Sequence, residues 1–250
     1  MNRRIRSRHC FRDLCPEKYQ RGLCPAARPG KGNGRKMKSL DIEGAIFDVD
    51  GTLLDSMGYW EHLGDEYLLS RQIQPPENLA NLLASMTLLE AAKYFKDRYG
   101  IQDEAEEMIK DFEKLMEGHY QVDIPEKEGV RQVLEDLQER QIPMYIATAT
   151  QRPMVEAALK RTGLEKYFQG MITCQEAGES KRNPLIYQIA RERLGTQKER
   201  TAVFEDAAFA AQTARKDGFF LVGIYDVWEP EQELLKKTAD IYLRTWSEWK

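Results

Sequence analysis

The 250-residue chain is 42 % apolar and 31 % charged and carries a net charge of −4, a composition suited to a buried core in one or two domains. Its apolar runs stop well short of the roughly 18–20 residues of a bilayer span, so no helical membrane anchor is expected. The charge is uneven: residues 1–36 hold eleven Lys or Arg against two Asp or Glu, which leaves −13 on residues 37–250. An acidic body lacks the basic patches that nucleic-acid binding needs.

Residues 1–36 form a basic leader with no hydrophobic periodicity, three prolines (Pro16, Pro25, Pro29) and four glycines, which predicts disorder. It has no apolar h-region and is not a secretory signal. His9, Cys10, Cys15 and Cys24 lie here, but their spacing fits no closed zinc pattern. Met37 would serve as a natural start, and the leader reads as an over-extended frame rather than a working arm. Cys174 is the single cysteine of the body. With no internal disulfide framework possible there, a reducing, cytoplasmic location is expected.

From residue 41 the pattern is regular. "GAIFDVD" (44–50) reads as a strand buried on both faces. Residues 57–122 then read as helix after helix: "MGYWEHLGDEYLLSRQ", "PENLANLLAS", "TLLEAAKYFKDRYG" and "DEAEEMIKDFEKLMEGHY". Pro75-Pro76 and Gly100 separate them, and Asp103 is the expected N-cap of the last. Beyond Pro125 the chain alternates. Helix "EGVRQVLEDLQER" precedes strand "PMYIATA", and helix "MVEAALKRTG" precedes strand "GMITC". Helix "NPLIYQIARERLG" precedes strand "TAVFED", and helix "AAFAAQTARKDG" precedes strand "FFLVGIY". A short acidic helix and strand "ADIYL" close the series. Alternation of this kind specifies an α/β fold, a doubly wound parallel sheet covered on both faces. The expected organisation is a Rossmann-like core from 37–56 and 123–250, with 57–122 inserted as an α-helical cap.

Sites in such sheets gather at the carboxyl ends of the strands. There the sequence places Asp48, Asp50 and Gly51, then Thr148 and Ala149, then Glu205 and Asp206, with Lys181 just before a helix. Four carboxylates together would repel one another without a cation, and hard oxygen ligands suit Mg2+. A metal of that kind offsets the repulsion between an attacking carboxylate and an anionic phosphoryl group. Asp48 is the candidate nucleophile, Asp50 the candidate acid and base. Thr148, the amide of Ala149 and Lys181 are candidate phosphate-binding groups. Plainer readings exist for each: Asp50-Gly51 as a turn, Thr148 as a strand residue, Lys181 as a solvated charge, Glu205-Asp206 as a helix cap. The cap aromatics Tyr59, Trp60, Tyr67, Tyr94 and Phe95 read as packing, with Tyr59 and Trp60 also able to line a cleft. His62 and His119 read as surface or core residues of the cap, and Cys174 as a small buried residue.

Four motifs in order, "DVDGT" (48–52), Thr148 in "IATAT", Lys181 with Pro184 in "KRNP", and Glu205-Asp206 in "VFEDA", resemble those of the haloacid dehalogenase (HAD) superfamily, over about residues 41–245. The resemblance is to its phosphatase and beta-phosphoglucomutase-like members with a helical cap. It implies Asp48 as nucleophile and metal ligand, and Asp50 as acid/base that offers its backbone carbonyl to magnesium. Thr148 and Lys181 would hold phosphoryl oxygens, and Asp206 would anchor the metal with Glu205 assisting. Dehalogenases of the superfamily lack the second acid, which Asp50 supplies here. Beta-phosphoglucomutases usually carry a histidine where this chain has Trp60, and basic cap residues where it has only Lys93. Lys93 and Lys96 match the place of a Schiff-base lysine in phosphonoacetaldehyde hydrolases, but nothing in their surroundings suggests a desolvated amine. The expected function is therefore a Mg2+-dependent phosphohydrolase of small phosphate monoesters, with a sugar-phosphate mutase as the alternative. A non-catalytic binding protein on the same fold is the third reading.

Overall fold

A computed structural model describes residues 42–83 and 86–249. The expectations for residues 1–36 and for Met37 lie outside the described residues. Six strands form one sheet: β1 (Gly44–Phe47), β2 (Met144–Thr148), β3 (Met171–Thr173), β4 (Thr201–Glu205), β5 (Phe220–Ile224) and β6 (Ile241–Leu243). Their order is β3-β2-β1-β4-β5-β6, and every neighbouring pair is parallel. This is the doubly wound sheet that the alternation predicts.

Side chains alternate between the two faces of a strand, and both faces of this sheet are covered. Phe47 points to one face, stacked on Phe204 at 4.3 Å between ring centroids. There it joins the apolar stripes of α5 (Val130–Glu139) and α6 (Arg152–Thr162). Ile46 points the other way, into a second cluster with α8 (Leu185–Leu194), α9 (Ala208–Lys216) and Leu235 of α10 (Gln232–Thr238). Burial on both sides explains why β1 and β4 lack polar alternation. A short α7 (Cys174–Ala177) follows β3, started by a capping box between Thr173 and Glu176. Cys174 therefore opens a helix instead of closing a strand, and it is half-buried, not buried as expected.

Between β1 and β2 the chain forms α1 (Met57–Ser70), α2 (Leu79–Leu83), α3 (Leu88–Tyr99) and α4 (Ala105–Val122). α4 buries Met108, Phe112, Met116 and Tyr120, every fourth residue, the spacing that keeps one face of a helix in register. Phe112 meets Tyr67 of α1 edge-on at 4.7 Å, and Tyr67 stacks on Phe95 of α3. Burial of each such side chain contributes about 1.5–3 kcal/mol. Thr87 and Glu90 form a capping box at the start of α3. The N-cap of α4 is Glu104, not Asp103; Asp103 instead pairs with Arg71 at 2.5 Å. Among the described residues no helix is long and apolar enough to cross a membrane.

The chain runs outward from β1 through β2 to β3 and then returns to the other side of β1 as β4. Such a reversal opens a crevice at the carboxyl ends of the two central strands, and β1 and β4 both end there in acidic residues.

Candidate active site

β1 delivers Asp48 to the crevice, its N–H donating to the carbonyl of Phe204 at 3.0 Å. The chain then turns at once: the N–H groups of Leu53 and Leu54 donate to the carbonyl of Val49, and Gly51 N–H to that of Leu54. Trp246 supports the turn from outside, its indole N–H donating to the carbonyl of Thr52 at 3.3 Å. Gly51 sits at φ +79°, and a Cβ there would come within 2.2 Å of Asp206 Oδ2. Only glycine lets the turn approach that carboxylate.

Asp48, Glu205 and Asp206 are all buried, and each offers a carboxylate oxygen within 4.8 Å of the others. Lys181 Nζ bridges Asp48 Oδ1 and Glu205 Oε1 at 2.5 Å each. Tyr187 donates to Glu205 Oε1 at 2.7 Å, and Thr52 donates to Asp206 Oδ1 at 3.0 Å. Glu205 Oε2 is buried with no hydrogen-bond partner among the described residues. An orphaned buried acceptor costs roughly 1–3 kcal/mol, more when charged. One ammonium does not balance three carboxylates, and the spare oxygens are hard ligands that suit Mg2+. The residues present thus fit a divalent cation. Burial raises the Asp48 carboxyl to about 6, with Lys181 opposing and Glu205 adding to the rise. Burial and then the charge of Asp48 push Asp206 well above the usual carboxylate range. Burial disfavours the Lys181 charge, but Asp48 and Glu205 outweigh it and hold the amine protonated above its ordinary value.

Asp50 stands apart from this cluster. Its Oδ1 accepts from Ser56 Oγ at 2.6 Å and from the hydroxyl of Tyr120, and its Oδ2 accepts from Thr150 Oγ1 at 2.5 Å. Burial, then the charge of Asp48, raises its pKa, while the hydroxyls of Ser56, Thr150 and Tyr120 pull it down. The four-carboxylate cluster expected from the sequence is therefore three carboxylates plus one. The turn after Val49 swings the Asp50 side chain toward Ser56, Tyr120 and Thr150 and away from the three-carboxylate cluster.

A cavity of about 390 Å³ opens over both groups, lined by Asp48, Asp50, Lys181, Glu205 and Asp206 on the floor. Ala149 is among the lining residues, whereas Thr148 is wholly buried at the end of β2, where its Oγ1 accepts from Thr150 N–H at 3.1 Å. The walls are Met57 and Trp60 of α1, Leu88 of α3, Met154 of α6 and Phe209 of α9, with Glu113 of α4 at the rim. Trp60 thus lines the cleft, whereas Tyr59 packs against the His119 ring at 4.8 Å. His119 is held by Glu66 at 2.7 Å and Asp123 at 3.0 Å, and His62 by Asp65 at 2.9 Å, away from the floor. Lys93 and Lys96 do not line the cavity, and Lys96 pairs with Glu104 at 3.1 Å.

Reading by sequence missed Ser56, Tyr120, Thr150 and Tyr187. Ser56 occupies the N-cap position of α1 yet makes no cap bond, because its hydroxyl serves Asp50. Thr150 carried a faint signal, two residues beyond Thr148 at a strand end. Tyr120 has the phase of a core residue, and nothing local marks it.

Three comparisons bear on this geometry. The family model described as haloacid dehalogenase-like hydrolase matches residues 45–224. A phosphorylated carbohydrates phosphatase of Thermotoga maritima is 30 % identical over 190 residues, which cover 71 % of this chain and 82 % of that protein. A fructose-1-phosphate phosphatase of Escherichia coli is 26 % identical over 188 residues, covering 72 % and 95 %. The crystal structure of a putative beta-phosphoglucomutase from T. maritima superposes with a TM-score of 0.73 at 26 % identity, over 81 % of this chain and 94 % of that one. With its four motifs converging on one crevice and the family model spanning most of the sheet, the chain belongs to the haloacid dehalogenase-like hydrolases.

Proposed function

We propose that the protein is a magnesium-dependent phosphohydrolase that cleaves a small phosphate monoester, a sugar phosphate or similar metabolite, through an aspartyl-phosphate on Asp48. The observation that carries this reading is the pairing at the end of β1: one carboxylate in an acidic, metal-competent cluster bridged by Lys181 and a second in a nest of hydroxyls, both facing one cavity. The cavity volume of about 390 Å³ lies in the range of small-molecule sites. The relatives named as phosphatases of phosphorylated carbohydrates and of fructose 1-phosphate support the substrate class.

Asp48 attacks phosphorus as the bond to the leaving oxygen breaks, and Asp50 delivers a proton to that oxygen. Asp50 then takes a proton from water as the water attacks the phosphoryl group, which releases phosphate and restores Asp48. Lys181 supplies positive charge beside the nucleophile, and the Thr148 hydroxyl and the amide of Ala149, a residue that lines the cavity, would donate to phosphoryl oxygens. Asp48, Asp206 and Glu205, with the Asp50 carbonyl, would hold Mg2+. When bound, the metal neutralises charge between the nucleophile and an anionic phosphoryl group. α1 to α4 act as a cap that selects the leaving group and excludes water.

Asp48→Asn should abolish Mg2+-dependent phosphate release across a panel of sugar phosphates, nucleotides and phosphoglycolate. A variant with undiminished turnover refutes the nucleophile. The likeness to a putative beta-phosphoglucomutase favours a second reading, a sugar-phosphate mutase. Against it, Lys181 is the only basic side chain among the described residues that line the cavity, and it is already paired with Asp48 and Glu205. Isomer interconversion that depends on a bisphosphate primer, without net phosphate release, would decide for the mutase.

A further inference from the structure

Both connections between the sheet and the α1–α4 block converge on the Asp50 carboxylate. Ser56, at the start of α1, and Tyr120, in the last turn of α4, donate to Oδ1 from opposite ends of the inserted block, and Thr150 donates to Oδ2 from the sheet side. Tyr120 is wholly buried. Its hydroxyl also receives the indole N–H of Trp60 at 3.1 Å, so α1 orients the group that α4 presents. Its backbone carbonyl accepts from Arg161 Nε of α6 at 3.2 Å, and Arg161 also donates to the carbonyl of Ile124. The residue is fastened to α6 at its backbone and to Asp50 and Trp60 at its ring tip.

We infer that Tyr120, steadied by Trp60, is a positioning residue that fixes the Asp50 carboxylate for proton delivery to the leaving oxygen, so that proton transfer works only with α1 and α4 seated over the sheet. A carboxylate held at both oxygens by donors from three segments has one orientation, and displacement by about 1 Å costs on the order of 100-fold in rate. Trp60 lines the cavity as well, so one cavity-lining side chain also touches the hydroxyl that places the Asp50 carboxylate. Tyr120 is not among the described residues that line the cavity, which confines its effect to the proton and leaves phosphoryl binding to the cluster around Lys181.

The inference rests on the phosphatase reading, and leaving-group chemistry separates the two. A nitrophenolate departs without a proton, whereas an alkoxide needs one. With Mg2+ present, kcat/KM is measured over monophosphate esters from nitrophenyl to alkyl, because it reports the first chemical step. Tyr120→Phe should lose about 10- to 100-fold with alkyl esters, within the range of general-acid catalysis, and less than about 3-fold with the most acidic phenol. In an Asp50→Asn background, assayed with the nitrophenyl ester, Tyr120→Phe should add no further loss. Trp60→Phe, which keeps an aromatic wall but removes the N–H, should steepen the same leaving-group dependence by a smaller factor. It keeps the test decisive should Tyr120→Phe fail to fold. An equal loss across all esters, or an added loss in the Asp50→Asn background, overturns the inference and leaves the phosphatase reading standing. A wild-type protein that releases phosphate from none of the esters overturns both.

Discussion

Gly51→Ala is the sharpest probe of how the turn after β1 serves the acidic cluster. At φ +79° an alanine pays roughly 1–2 kcal/mol of backbone strain. Its methyl would also lie 2.2 Å from Asp206 Oδ2, 2.6 Å from Asp206 Cγ and 3.0 Å from Met57 Cγ, well inside ordinary contact. Met57 can move. Asp206 is buried, packed beside Asp48 and Glu205 and bonded to Thr52 at 3.0 Å, so it yields only by giving up a hydrogen bond to a charged group, about 1.5–3 kcal/mol. Together these predict a loss of about 2.5–5 kcal/mol, or a Tm lower by roughly 5–20 °C at 2–4 °C per kcal/mol for a domain of this size. Displacement of Asp206 should also weaken Mg2+ half-saturation of phosphate release by about 10- to 100-fold, the usual cost of disturbing a ligand's support. Gly163→Ala is the control, since it has φ +71° but nothing within 4 Å of its Cβ and should show only the strain. A Gly51→Ala protein that melts with the control and keeps its Mg2+ dependence would show that the turn does not constrain Asp206.

Two further outcomes follow from the same contacts. Mg2+ at about 100 times its Kd should stabilise the protein by about 2.7 kcal/mol, read as a rise in Tm of roughly 5–10 °C. Asp206→Asn should remove most of that rise, and an equal shift in both proteins would place the ion elsewhere. In α4, burial disfavours the His119 charge, but Glu66 and Asp123 outweigh it and raise the pKa above 6.5. A raised folded pKa means that the imidazolium's contribution to stability is fully present below about 6.5 and is lost as pH rises through the folded value. The Tm gap between wild type and His119→Gln should therefore be widest near pH 6 and shrink on the alkaline side; a gap constant with pH would contradict the ion pairs.

Strand and helix order were legible because burial on two faces leaves continuous apolar runs such as "AIF" and "AVF", and β-α alternation admits few sheet topologies. The end of the chain was less legible. Trp246 and Trp249 pack on Phe204 at 5.7 and 5.3 Å from a short segment with no periodicity to announce it. Within the site, Asp48 and Asp206 could be placed from strand ends, and Lys181 only from its order among the four motifs. Tyr120 and Thr150 could not, because they meet Asp50 across 70 and 100 residues of chain and look locally like a core tyrosine and a turn threonine.

The two aspartates of "DVDGT" show where local reasoning stops. Residues two apart in a strand share a face, which places both carboxylates in one acidic cluster. The turn that begins at Val49 breaks that register. Asp48 stays against Lys181, while Asp50 leaves the metal-competent group for the hydroxyls of Ser56, Tyr120 and Thr150. Two acids of the same intrinsic pKa thereby acquire opposite surroundings, and divergent surroundings are what divide acid-base from nucleophilic work between like residues. On the proposed reading the α1–α4 block, which supplies Tyr120 and begins at Ser56, would take part in the chemistry as well as in substrate choice. Replacing it wholesale should change not only which ester is accepted but how steeply the rate depends on its leaving group.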